Sequence, residues 1–339
     1  MKKVSTVGVD LAKGVFQVHA VDEAGEVVVR KALRRSKVLA WFAQLPPCLV
    51  GMEACATAHY WGRELRKLGH DVRLIPPAYA KAYVRRNKND PADAAAICEA
   101  VGRPSMRFVA IKTEEQQAMV GIHRVRDLLK KQHTMLINQV RGLMAEFGIV
   151  AAKGVPHVGE LLGVLADPDD QRIPEPLRAG LIATADLLRT IDRKLETIDR
   201  QIVAAGRQDA TYRHLITAPG YGPIVSSAMS AMVVDPGAFR RASDFAASLG
   251  LVPRQDGTGG KVKLGPISKR GNGYLRRLLV NGAMAVLRGK RAKQDPWLAK
   301  LLASKPRKVV AVALANKMAR IGWVLMTRQE DFRRLPAAA

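Results

Sequence analysis

Three β-rich segments occupy the first 32 residues, and this opening constrains the fold more than any other feature of the chain. Residues 4–9 form a short apolar run rich in β-branched side chains, which reads as a strand ending at Asp10. In "VFQVHAVDEAGEVVVRKA" apolar and polar residues nearly alternate on both sides of "DEAG", the signature of a hairpin. "CLVGME" is a fourth apolar run, ending at Glu53, and "DVRLI" before Pro76 and Pro77 is a fifth. Between them "HYWGRELRKLGH" has helical spacing, with Gly69 as its stop. The order β-β-β-α-β-α-β-α predicts an α/β domain whose first three strands are antiparallel and whose later strands arrive through crossover helices.

The next part of the chain changes period. Thr113 and Gln116 have capping-box spacing, and apolar residues recur at Met119, Ile122, Val125, Leu129, Leu136, Val140 and Leu143, predicting one long helix through Glu146. A second helix is expected over residues 177–205, where Leu188, Ile191, Leu195, Ile198 and Ile202 alternate steps of three and four, as in a coiled-coil seam. The Pro- and Gly-containing stretch between them reads as a loop-rich tip. Such a pair either packs on itself as a hairpin or serves as a dimerisation arm. After Gly206 a separate region begins, and "LITAPGYGPIVSSAMSAMV" predicts two helices joined by a turn at residues 219–223. A G-x-G turn at a helix start presents backbone N–H groups to a phosphate, as in a helix-hairpin-helix, although a plain turn has the same residues.

Charge narrows the partners. Lys and Arg number 55 against 30 Asp and Glu, a net of +25, which suits a polyanionic partner, nucleic acid first and an anionic membrane surface second. From Lys261 to the end 19 basic residues face only Asp295, Glu330 and Asp331, a net of +16. Cys48, Cys55 and Cys98 are few, odd in number and without metal-ligand spacing, which fits a reducing cytosol. The seven histidines likewise lack ligand spacing, and the four tryptophans fit helix faces. The N-terminus meets Asp10 before any long apolar stretch, so no signal peptide is expected, and no membrane span is expected either.

Four acids stand out by position. Asp10 and Glu53 end strands, and Asp90 and Asp93 open the helix after the fifth strand, where α/β sheets place their sites. Residues three apart on a helix share a face, so Asp90 and Asp93 can aim at one point. Clustered carboxylates suit two hard cations about 3.5–4 Å apart in phosphoryl transfer. Asp90 before Pro91, with Asp93 following, is also an ordinary helix cap.

The strand opening, "GVDLAK", "GMEACATAHYW" and "NKNDPADA", followed by "PGYGPIVSSAM" and "FAASLGLVPRQDGTGGKVKLGPISKRGNGYLRRLL", resembles the DEDD transposases of insertion sequences, known as bridge-RNA-guided recombinases. The similarity covers nearly the whole chain. It implies a RuvC-type (RNase H-like) α/β domain over residues 1–110, a helical coiled-coil arm over 111–206, and a mostly α-helical basic domain with a helix-hairpin-helix-like element over 207–339. It implies Asp10, Glu53, Asp90 and Asp93 as ligands of Mg2+, two ions in number, with Mn2+ as a substitute. In that family a serine in the loop after "GLxPR" attacks DNA; here the position falls on Thr258, with Ser268 as the alternative. The threonine methyl crowds an in-line approach. Lys261, Lys263, Lys269, Arg270, Arg276 and Arg277, with Gly220 and Gly222, are the expected nucleic-acid contacts. Donor and target DNA, a structured guide RNA and a dimer assembling to a tetramer are the implied partners, in the bacterial cytoplasm at the nucleoid. Competing readings are a RuvC-like nuclease that uses water and a non-catalytic architectural protein.

Overall fold

A computed structural model describes residues 3–83, 90–258, 261–289 and 291–333, and the chain divides into two compact units after Glu115. The first unit holds a five-stranded sheet in the order β3-β2-β1-β4-β5. The strands are β1 (Thr6–Asp10), β2 (Val15–Val21), β3 (Val27–Arg34), β4 (Leu49–Glu53) and β5 (Asp71–Ile75). β1, β2 and β3 are antiparallel neighbours, whereas β4 runs parallel to β1 and β5 parallel to β4, as the sequence predicts. Helices α1 (Val38–Phe42) and α2 (Ala58–Lys67) supply the crossovers. Their Val38, Phe42, Trp61 and Leu65 join Phe16, Val18 and Leu33 in one buried cluster. α3 (Pro77–Tyr83) follows β5 and is a helix beyond those the sequence predicts; α4 (Asp90–Val101) packs against β1, β2 and β4.

α4 lies almost on the sheet backbone because glycines face it. A Cβ at Gly8 would strike the Ala94 carbonyl and the Cys98 backbone, and one at Gly51 would come within 2.7 Å of the Val101 Cβ. Only hydrogen fits at either place.

The second unit starts with α5 (Glu114–Ala145), which continues from the first, and α7 (Glu175–Gln208). Arg126 pairs with Asp199, and His133 with Asp192, seven residues further along α5 and seven back along α7. The two helices are therefore antiparallel neighbours. Their far end is closed by Ile137, Val140, Met144, Leu181, Ala185 and Leu188. The loop-rich tip expected between them needs correction: it contains α6 (Val158–Ala166), whose Val158, Leu161 and Leu165 are buried in that same cluster. Pro and Gly flank this helix and mask its period-3.6 pattern.

The rest of the unit packs α8 (Ala210–Leu215), α9 (Pro223–Met232), α10 (Ala242–Ser248), α11 (Gly273–Arg288), α12 (Arg291–Gln294), α13 (Pro296–Ser304) and α14 (Arg307–Arg328) around one core. α14 is long and apolar enough to cross a membrane, but half of its apolar window is buried in that core. A second sheet, β6 (Pro253–Thr258) and β7 (Lys261–Ile267), is an antiparallel hairpin.

Candidate active site

Strand alternation decides where the first two acids point. Gly8 and Gly51 are register partners on β1 and β4, and both face α4. Two residues further on, Asp10 and Glu53 therefore leave the sheet on this same face, at the C-terminal ends of neighbouring parallel strands. Both are half-buried. Cys55, just beyond β4, senses both: burial raises its thiol pKa first, then the Glu53 carboxylate, and more weakly that of Asp10.

Asp90 and Asp93 belong to the first turn of α4, the helix covering this face. Asp93 is half-buried; the Asp90 side chain lies outside the described residues. Among the described residues no three His, Cys, Asp or Glu side chains close around one point.

The loop expected around Thr258 also needs correction, since it is the β6–β7 hairpin. Thr258 ends β6 in register with Lys261, and its side chain, like that of Lys261, is outside the described residues. The clue was present: "KVKL" alternates, and Gly-Gly follows Thr258. Ser268 sits at the other end, where its N–H donates to the Val252 carbonyl at 2.8 Å. Seven strand residues separate Lys261 from Ser268, roughly 23 Å at the usual rise. Thr258 and Ser268 thus cannot serve one phosphate in turn. The hairpin root is pinned by close backbone approach, since a Cβ at Gly250 would strike Arg270 and one at Gly271 the Ser248 carbonyl.

Of the basic residues, Lys263, Lys269 and Arg270 are exposed. Arg276 instead donates to the Leu249 and Arg270 carbonyls at 2.9 Å, and Arg277 pairs with Asp127 and stacks on Tyr274. In the turn at residues 219–223, Gly220 (φ +82°) is packed against Met318, while Gly222 is exposed and precedes α9 without a side-chain cap. One polar cluster in this unit gave no sequence signal. His123 is fully buried, its Nδ1 3.0 Å from the Tyr274 hydroxyl and its Nε2 3.0 Å from Ser227 Oγ.

A mixed sheet with acids ending its two central parallel strands, joined to a basic helical unit, is consistent with an RNase H-like protein that processes DNA. The sequence comparisons are more specific. The pattern described as "Transposase IS116/IS110/IS902 family" matches residues 212–298, and a DEDD transposase pattern of IS110 elements matches residues 7–149. A "Probable family 20 transposase" of Pseudomonas aeruginosa is 50% identical over 97% of this chain and 99% of its own length. The "Transposase for insertion sequence element IS1328" of Yersinia enterocolitica is 40% identical over 98% and 99%. That for IS1111A of Coxiella burnetii is 38% identical over 98% and 92%. The chain belongs to the IS110/IS116 family of insertion-sequence transposases, and is accordingly a DNA-transposing enzyme rather than an architectural protein.

Proposed function

We propose that this transposase is an RNA-guided recombinase that cuts and rejoins DNA strands through a covalent protein–DNA intermediate. The observation that carries the reading is that Asp10 and Glu53 leave the ends of neighbouring parallel strands on the one sheet face that α4 covers. An all-carboxylate set from Asp10, Glu53, Asp90 and Asp93 fits hard cations, and Mg2+, two ions or Mn2+ in their stead, is the proposed cofactor. Bound there, it would supply charge neutralisation at the scissile phosphate. Asp10 and Glu53 stand at strand ends, and Asp90 and Asp93 lie in the first turn of a helix seated closely on Gly8 and Gly51.

The proposed nucleophile is Thr258. Its Oγ forms a bond to phosphorus as the bond to the 3′ oxygen breaks, and the hydroxyl proton ends on the released 3′-OH. Attack of a 3′-OH on the linked phosphate reverses the step and joins new ends. The hairpin tip suits this role because β6–β7 projects from a pinned root. Lys261, Lys263, Lys269 and Arg270 would hold phosphates, with the Gly222 amide at the open start of α9. Gly220, Arg276 and Arg277 would support the surface from behind. A structured guide RNA is the proposed source of sequence choice, which suits a chain with only 5% aromatic residues.

The parts 1–110, 111–206 and 207–339 are proposed as the carboxylate domain, coiled-coil arm and nucleophile domain. A dimer through the arm, assembling to a tetramer, is supported by an apolar groove on α5 and α7 that includes Met135, which is 69% exposed. A cytoplasmic place, at the nucleoid, follows from the DNA substrate.

Denaturing electrophoresis with labelled DNA and Mg2+ tests the reading. A slow band is expected from the wild type and none from Thr258→Ala, Asp10→Asn or Glu53→Gln. A band lost only in Ser268→Ala assigns the other hydroxyl, and DNA cut without any band in the wild type means attack by water. A band untouched by both acid substitutions overturns the carboxylate site.

A further inference from the structure

The face of the sheet that carries Asp10 extends beyond it across the β2–β3 hairpin. Asp10 is in register with Gln17 and Gly8 with His19 on β2; Gln17 pairs in turn with Ala32, His19 with Arg30, and Val15 with Arg34 on β3. By alternation Gln17, Arg30 and Arg34 lie on the α4 side, together with the two acids. Leu33, between them, is buried on the opposite side. Arg30 and Arg34 therefore stand two strands from Asp10 and two residues to either side of its row, each roughly 12 Å away.

An open furrow of about 420 Å³ runs along this face between the hairpin and α4, with Gln17, His19 and Arg30 on one wall and Pro91, Ala92 and Ala95 on the other. A second hollow of about 490 Å³ continues it, sharing His19, Ala92 and Ala95 and reaching Glu99. Alanines on α4 keep the channel open. Arg30 and Arg34 are exposed, and no ion pair to either occurs among the described residues. Burial lowers the His19 pKa, and the nearby Arg30 lowers it further. Unpaired guanidinium groups on the face of a furrow whose Gln17 wall is in register with Asp10 suit an anionic polymer with one phosphate led toward that strand end.

We propose that this furrow is a track for the phosphodiester backbone of the DNA strand being processed, gripped by Arg30 and Arg34 and led past Gln17 to Asp10. The proposal rests on the carboxylate site argued above. The guanidinium pair offsets the repulsion that Asp10 and Glu53 exert on an approaching phosphate, and it sets the direction of entry. A bland account exists: β3 is the edge strand of the sheet, and basic side chains there deter edge-to-edge pairing. That account needs no DNA contact, so the two can be separated.

The test is binding of a labelled single-stranded DNA of mixed sequence by full-length protein, without divalent cations, over a salt series. Arg30→Gln with Arg34→Gln is compared with Lys37→Gln with Arg107→Gln, which removes the same charge at the start of α1 and beside β5. The track predicts weaker binding and a salt slope reduced by roughly 1.4 for the first pair, about 0.7 per lost phosphate contact. It predicts a clearly smaller change for the second pair. Equal changes in both pairs, or none in the first, overturn it, as does a loss seen with an RNA of the same sequence while DNA binding stays intact. Aggregation of the first pair with an unchanged slope in its soluble fraction supports edge protection instead. A lowered slope combined with an intact covalent band in Asp10→Asn and Glu53→Gln would sink the carboxylate reading. An unchanged slope with that band abolished would sink only the track.

Discussion

Gly8 of β1 lies directly beneath Ala94 of α4, so close that a methyl group on the glycine would overlap the alanine carbonyl. This contact sets the height of α4 above the sheet and hence the position of its first turn relative to Asp10. The atoms in the way belong to a helix backbone, which cannot rotate aside like a side chain.

Gly8→Ala is therefore expected to lower stability by about 2–4 kcal/mol, read as a shifted urea midpoint. Gly14→Ala, with nothing within 4 Å of its Cβ, should stay within about 1 kcal/mol of wild type. Equal midpoints for the two variants would contradict the close seating of α4.

His123 predicts a pH dependence. Burial, with a further contribution from Arg126, pushes its pKa down to about 4. Between about pH 6.5 and 4 the unfolded chain takes up a proton that the folded chain refuses, so stability is lost as pH falls through that window. The full effect is roughly 3 kcal/mol below pH 4. His123→Gln should remove this part of the slope in denaturant titrations at a series of pH values. It should also lower stability at neutral pH, since Ser227 and Tyr274 lose a partner. A slope unchanged in the variant would mean that His123 does not titrate there.

Tyr221 and Gly322 should be coupled. The Tyr221 hydroxyl donates to the Met318 carbonyl at 2.9 Å, and a Cβ at Gly322 would overlap that hydroxyl. Tyr221→Phe alone is expected to cost about 0.5–1.5 kcal/mol, and Gly322→Ala about 2 kcal/mol or more. Because the phenylalanine lacks the clashing oxygen, the double variant should fall short of their sum by about 1 kcal/mol. Thermal or denaturant unfolding of all four proteins closes the cycle, and strict additivity would refute the contact.

Thr258→Ser offers a gain-of-function check on the proposed nucleophile. Removing the methyl group should speed formation of the covalent band by roughly two- to tenfold, about 0.4–1.4 kcal/mol of barrier. The measurement is single-turnover appearance of the band at saturating protein. A serine variant slower than wild type would argue against attack from this position.

Much of the first unit was legible before any coordinates. Strands β1 to β5 announce themselves by alternation and β-branched runs, and the antiparallel-then-parallel order follows from short turns against helical crossovers. The acids were visible as strand-end and helix-start residues. What alternation within one strand could not state was that Asp10 and Glu53 share a face, because this depends on Gly8 standing in register with Gly51. The furrow beside Arg30 and Arg34 was hidden for the same reason.

In the second unit the long helices α5 and α7 are readable from their period, whereas α6 and the β6–β7 hairpin read as loops in the sequence because Gly and Pro surround them. The amino-acid order alone determined which segments become strands and helices, which family the chain resembles, and a net charge suited to a polyanion, since each of these is written in neighbouring residues or in total charge. Only tertiary structure decided that His123 meets residues 104 and 151 positions away, that Thr258 and Ser268 stand at opposite ends of a hairpin, and which side of the sheet each acid takes. Those outcomes are set by strand register and by how closely backbones can approach, and neither is a property of any local stretch of sequence.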